Sequence, residues 1–185
     1  MPTSVENIYS SALFELFEEK HQNDKSGFEV ALSELKVVND ALVDAPELVK
    51  LSLVPTVSRG DKLDVVKKVF DGKVSPYTMN FLCVLTEKGR LGRFSGIYRD
   101  FRRKYHDKFG ITPVTVTSAF ALSAEQRDKI ISKMAQITGN QIELSEKTDK
   151  NLIGGVVVDY GGTRIDGSVK NRLESLKREI AETIL

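Results

Sequence analysis

The run Leu152-Ile-Gly-Gly-Val-Val-Val-Asp-Tyr-Gly-Gly-Thr-Arg-Ile-Asp-Gly-Ser-Val-Lys-Asn-Arg-Leu-Glu-Ser-Leu176 decides how the end of this chain folds. Gly154-Gly155 punctuates the start of a strand. Residues 156–160 are β-branched and aromatic, which suits a pleated, buried surface. Gly161-Gly162 reads as a two-residue turn, because a tight hairpin demands positive φ and glycine accepts it. Thr163-Arg164-Ile165 then returns as a second strand. Asp166 and Ser168 offer side-chain caps for a helix start. Val169, Leu173, Leu176, Ile180 and Ile184 follow at spacings of four, three, four and four, which is one apolar helical face. The run therefore predicts a hairpin feeding an amphipathic helix.

Working upstream, residues 114–119 alternate Val114, Val116 and Ser118 against Thr115, Thr117 and Ala119, a strand pattern. Ser123-Ala-Glu-Gln126 is a capping box, in which each side chain satisfies an orphan amide at the other's position. Ile130, Met134 and Ile137 line the helix it opens, and Gly139 closes it. Ile142 and Leu144 face one way on a further strand, with Glu143 facing the other. Residues 111–185 thus read as a small α/β domain, and 110–113, ending at Pro113, as the hinge before it.

The preceding 110 residues carry helical periodicity throughout. Val5, Ile8, Ala12 and Leu16 form one stripe, and Tyr9, Leu13 and Phe17 an adjacent one, on a helix over 4–20. Phe14 lies well away from the Val5–Leu16 stripe. A helix apolar on more than one side is either buried on both or offers a docking surface. A polar loop over 21–27 precedes a second helix through Phe28, Leu32, Leu35, Val38 and Leu42, which stops near Pro46. Residues 47–53 make a short third helix. Leu63, Val66, Val69 and Phe70 mark a fourth. Ser75-Pro76 is a cap followed by proline at the first helical position, opening a fifth helix through Tyr77, Phe81, Val84 and Leu85. Phe94, Ile97, Tyr98, Phe101, Tyr105 and Phe109 mark a sixth. The expected fold class is therefore α+β, a six-helix bundle over 1–110 followed by the α/β domain.

Composition narrows the function. The chain has 185 residues, of which 27 are basic and 26 acidic, giving a net charge of +1. Such balance supplies no overall field to draw the chain to nucleic acid or an anionic bilayer. One cysteine, Cys83, cannot form an internal disulfide and fits a reducing compartment. No apolar run approaches the ~20 residues a membrane helix needs, and the opening residues do not form a signal peptide. The expectation is an intracellular chain that meets a membrane only through a partner.

Convergent catalytic groups are missing from the pattern. His21 falls in a polar loop and His106 on a basic helix segment, so both read as solvated. No Cys/His cluster suggests a metal, and Cys83 sits in an apolar run as a small core residue. Gly154-Gly155 precedes a strand, and no Gly-Lys-Ser/Thr follows, so a phosphate loop is not indicated. The basic run Arg99-Asp-Phe-Arg-Arg-Lys-Tyr-His-Asp-Lys108 is the one feature that supports an alternative, a nucleic-acid-binding adaptor. Phe101 and Tyr105 lie on its inward stripe, and Asp100 and Asp107 dilute the charge, so a solvated helix face is preferred. The residues themselves thus describe a two-domain interaction protein with no catalytic, cofactor or metal residues.

Four motifs also carry a resemblance. Leu152-Ile-Gly-Gly with Asp166-Gly-Ser-Val and a basic helix resembles the C-terminal signature of the delta subunit family of bacterial F-type ATP synthases, whose mitochondrial counterpart is the oligomycin-sensitivity-conferring protein. Tyr9-Ser-Ser-Ala-Leu-Phe14 resembles the family's Tyr-Ala-x-Ala-Leu-Phe, with Ser10 in place of alanine. Asn80-Phe-Leu-Cys-Val-Leu-Thr-Glu-Lys-Gly-Arg-Leu91 resembles Asn-Phe-Leu-x-x-Leu-x-x-Asn-Gly-Arg-Leu, with Lys88 in place of asparagine. Ser118-Ala-Phe-Ala-Leu-Ser123 with Gln126 resembles Ser-Ala-x-x-Leu-Ser-x-x-Gln. The resemblance implies a non-catalytic subunit of the peripheral stalk, or stator, at the cytoplasmic face of a bacterial cell membrane. It implies that the N-terminal bundle binds the N-terminal helix of an alpha subunit between its first and fifth helices. Tyr9, Leu13, Leu16, Phe17, Tyr77, Phe81 and Val84 are the candidates for that groove. It implies that the C-terminal domain binds the C-terminal region of the b subunits, with Val156, Val158, Ile165, Val169 and Leu173 as candidates.

Overall fold

The computed structural model describes residues 4–21 and 24–183. Within them the order is α1 (Ser4–His21), α2 (Lys25–Asp44), α3 (Pro46–Leu53), α4 (Arg59–Phe70), α5 (Pro76–Glu87) and α6 (Phe94–Phe109). These are followed by β1 (Ile111–Ser118), α7 (Ala124–Thr138), β2 (Gln141–Thr148), β3 (Val156–Tyr160), β4 (Thr163–Asp166) and α8 (Val169–Thr183). The class is mixed α and β. Two compact units divide the chain, Met1–Tyr105 and His106–Leu185.

Local signals set most boundaries. Ser75 accepts a hydrogen bond from the Thr78 N–H, with Pro76 at the first position of α5. Ser123 and Gln126 complete the capping box that opens α7. Two starts fall earlier than the apolar periodicity predicts. Asp24 accepts from the Ser26 N–H at 3.2 Å, so α2 begins at Lys25 and the expected polar loop over 21–27 is shorter. Ser58 accepts from the Asp61 N–H at 3.2 Å, which opens α4 four residues before Leu63. In both, a polar cap and a charged first turn extend the helix beyond its core-facing residues.

The first unit is cored by the inward stripes. Phe28, Phe70, Phe94 and Phe101 are fully buried, with Leu35, Leu82, Leu85, Leu91 and Ile97. Phe14 joins this core: its ring centroid lies 4.9 Å from that of Phe28 and 5.4 Å from that of Phe101. Asp100 does not dilute a solvated face, as its place in the basic run suggested. Its side chain is 1% exposed. It accepts from the Ser10 hydroxyl of α1 and from Arg103, and Lys104 Nζ stands 3.5 Å away. A buried carboxylate is tolerated only when such partners replace its water. Cys83 is half-buried.

The second unit is a four-stranded sheet in the order β2-β1-β3-β4. β1 and β2 are parallel with α7 as their crossover, and β3 and β4 are antiparallel additions. The Gly161-Gly162 turn joins Tyr160 to its partner Thr163, with φ of +52° and +81°. Val114, Val116, Leu122, Met134 and Val158 form the core, with Ile130, Ile142 and Leu144 packed against it. Of the predicted hinge over 110–113, residues 111–113 are instead the start of β1, as Ile111, Thr112 and Pro113 already pair with β2. Pro113 precedes the stretch paired to β3, so it occupies a part of the strand flanked on one side only, where proline is tolerated. His106 is likewise not solvated. It is 7% exposed, with Nε2 at 2.6 Å from Glu143 Oε2 of β2. Both residues of that pair belong to the second unit.

Candidate docking surfaces

In the first unit, α1 and α5 run antiparallel. Tyr9 meets Phe81 edge-on, with centroids 6.3 Å apart. Arg90 donates from Nη1 to the Tyr9 hydroxyl at 2.9 Å. At the other end, Lys20 Nζ lies 3.2 Å from the centre of the Tyr77 ring. A cation over an aromatic face is held by the ring's negative quadrupole, so both ends of the α1–α5 seam are fastened.

Exposure sorts the seven residues expected to line this seam. Leu16, Tyr77 and Val84 are 42%, 40% and 44% exposed, and Tyr9 and Phe81 are half-buried. Leu13 and Phe17 are each only 3% exposed. Those two belong to the core and have no surface to offer in this fold. Ile8, 62% exposed, and Ala12, also exposed, extend the apolar face of α1 instead. Both belong to the stripe that ends at Leu16. The sequence signal was present, but it could not tell the inward stripe from the outward one.

In the second unit, Val158 is buried in the sheet core and Val156 is half-buried beside it. Their alternation with Val157 places both on the face that α7 covers. Ile165, Val169 and Leu173 are 42%, 42% and 53% exposed, and Leu176 of the same helical stripe is 48% exposed. The side chain of Ile180, and Ile184, lie outside the described residues. Two larger exposures were not anticipated, Phe120 and Ile153, each 78% exposed. Ser118 donates to the Phe120 carbonyl at 2.6 Å, which tightens the turn presenting that ring. Phe120 also borders a cleft of about 280 Å³ lined by Leu122, Gln126, Gly154 and Val156 among others.

The quoted run forms the junction of this surface. Gly155 has φ +81°, and a Cβ there would stand 2.3 Å from the Gly167 carbonyl oxygen. Val169 N–H donates to the Gly154 carbonyl and Gly167 N–H to the Val156 carbonyl, both at 3.0 Å. The two glycine-containing motifs thus close on each other, backbone to backbone, and launch α8. Ser168 caps it, accepting from the Asn171 N–H at 3.2 Å. The Asp166 carboxyl is held below its ordinary 3.8 by the Ser168 hydroxyl first, then by the Ser168 N–H.

Among the described residues, no three His, Cys, Asp or Glu side chains group to hold a metal ion. No described helix is long and apolar enough to cross a membrane. In the basic run, Arg103 and Lys104 are committed to Asp100, so it is not a free cationic strip.

The fold and its surfaces define a two-unit α+β chain whose distinctive exposed features are apolar faces, one set on each unit. The chain belongs to the ATP synthase delta (OSCP) subunit family, whose pattern matches residues 5–180. It is 33% identical over 177 residues to ATP synthase subunit delta of Desulforamulus reducens, covering 96% of this chain and 95% of that one. It is 35% identical over 181 residues to ATP synthase subunit delta of Lactiplantibacillus plantarum, again covering 96% and 95%. A chain of the Toxoplasma gondii mitochondrial ATP synthase hexamer shares the fold, with a TM-score of 0.65 at 24% identity over 97% of this chain and 98% of that one.

Proposed function

We propose that this chain is the delta subunit of an F-type ATP synthase stator, joining the catalytic head to the membrane sector so that ion flow is coupled to ATP synthesis. It acts without catalysing a step. Rotation generates torque, and a stator resists it by gripping two neighbours at once. The N-terminal bundle, 1–110, grips the N-terminal helix of an alpha subunit. The α/β domain, 111–185, grips the C-terminal region of the b subunits. The chain is held through them at the cytoplasmic face of a bacterial cell membrane. The observation that carries this reading is the family match across 5–180, which spans both units. The separate apolar faces, one set on each unit, support it.

For the first contact, the occupant of the α1–α5 seam lies against Ile8, Leu16, Tyr77 and Val84, with Tyr9 and Phe81 forming the floor. An amphipathic helix laid into an apolar groove is a common recognition mode. Leu16→Asp and Val84→Asp each lower affinity for an alpha N-terminal peptide by about 10-fold or more in calorimetry, because a charge is buried without a partner. Both sites are exposed, so the fold survives. Unchanged affinity in both variants rejects the groove assignment. Capture of the tagged chain from membranes brings alpha and b subunits with it, and capture of neither rejects the stator reading.

A further inference from the structure

The apolar stripe of α8 is left open in the second unit. Val169, Leu173 and Leu176 are all exposed, whereas the half-buried positions of the helix are Asn171 and Ser175. At about 100° per residue, Asn171 stands about 200° round the helix from Val169. The less exposed edge of the helix is therefore polar, and its apolar side is the open one. An apolar stripe normally faces the core, so this one is left for another surface.

The stripe does not stand alone. A Cβ on Gly154 would lie 3.2 Å from the Val169 side chain, and the Val169 N–H is bonded to the Gly154 carbonyl. Gly154, against which the stripe begins, therefore also lines the cleft with Phe120, and the exposed Ile153 immediately precedes it in the chain. Cations border the stripe: Lys170 and Lys177 follow one side and Arg172 the other. Glu174 is the sole carboxylate among the described side chains of α8.

We propose that Phe120, Ile153, the cleft and the α8 stripe form one docking strip for an acidic amphipathic helix. A bulky apolar side chain of that helix fills the cleft. The occupant is helical because the strip is linear and apolar at i, i+4 and i+7, the pattern into which a second helix interlocks. It is acidic because the rim is basic, and opposite charges across a rim set partner choice and on-rate. The cleft has room for one aromatic or branched aliphatic group, the kind of anchor that dominates binding energy. This inference rests on the reading that the second unit grips the b subunits, and it assigns the surface and the chemistry of that grip.

The test uses the full chain and the soluble, membrane-distal segment of the cognate b subunit, titrated by calorimetry at low and high salt. Phe120→Asp and Ile153→Ser each weaken binding by about 10- to 30-fold. The triple variant Lys170→Glu, Arg172→Glu, Lys177→Glu weakens it at least 10-fold at low salt and abolishes its salt sensitivity. Affinity for an alpha N-terminal peptide stays unchanged in all of them, which reports that the first unit is intact, and a wild-type far-UV spectrum and melting profile report the second. If wild type binds the b segment and every variant stays within 2-fold, the strip is wrong while the partner stands. If wild type does not bind it, both fall. If phosphatidylglycerol vesicles bind wild type but not the triple variant, and the b segment does not compete, α8 is a membrane-surface helix and the proposal is overturned.

Discussion

Gly155 and Gly162 share one backbone angle and differ in one contact, so a pair of alanine substitutions isolates the contact. Both have φ of +81°. At Gly162 a Cβ meets nothing within 4 Å, whereas at Gly155 it meets the Gly167 carbonyl oxygen at 2.3 Å and Ser168 Cα at 2.9 Å. Placing a side chain in the left-handed region costs about 1–2 kcal/mol at either site. At Gly155 the colliding atoms are backbone and cannot rotate away. The launch of α8 must shift, which adds about 1–3 kcal/mol, as overpacking does elsewhere. That shift also loosens the two 3.0 Å bonds Val169 N to Gly154 O and Gly167 N to Val156 O, each contributing about 1 kcal/mol. Gly155→Ala should therefore destabilise the second unit by about 3–5 kcal/mol, and Gly162→Ala by about 1–2 kcal/mol. Urea unfolding followed by far-UV circular dichroism measures the totals. Amide hydrogen exchange at Val156, Val157 and Val158 assigns the loss to this unit. Equal costs at the two sites, within about 0.5 kcal/mol, would show that the motif closure carries no energy and refute the reasoning.

Two further outcomes follow from buried and capped carboxylates. Asp100→Ala removes the acceptor shared by Ser10, Arg103 and Lys104 and should cost the first unit about 3 kcal/mol in urea unfolding, because partners are stranded around a buried site; a cost under about 1 kcal/mol would show that the network is energetically idle. Asp166 has a lowered folded-state pKa, so its stabilising contribution is fully present above the ordinary 3.8 and disappears as pH falls through the folded value. Carboxyl NMR titration should find its midpoint below 3.8, and Ser168→Ala should raise it towards that value; a midpoint already at 3.8 in the wild type would remove the cap from α8's start.

Much of the fold was legible because its signals are local. The capping box at Ser123 and the Ser75-Pro76 start each depend on residues within one helical turn. The Gly161-Gly162 turn depends on backbone freedom alone. Long-range partners decided the misread sites. Asp100 looked solvated because Arg99, Arg102, Arg103 and Lys104 surround it in sequence, yet Ser10, ninety residues away, draws it inward. His106 looked exposed on a basic helix, yet Glu143 of β2 pairs with it. Helix boundaries shifted at Asp24 and Ser58 because a cap can start a helix before any core-facing residue appears.

The sequence by itself determined the class of the chain, the family it joins, the order of its elements and the fact that α1 is apolar on more than one side. Only the tertiary structure decided which side is which. Leu13 and Leu16 are three residues apart with the same side chain, but one is core and the other surface, because helix periodicity fixes relative directions and not the direction of the core. The same holds in α8, whose apolar stripe looked like a core face and is turned outward. A periodic pattern states that a surface will be buried, and the position of neighbouring elements settles whether the chain itself or a partner buries it.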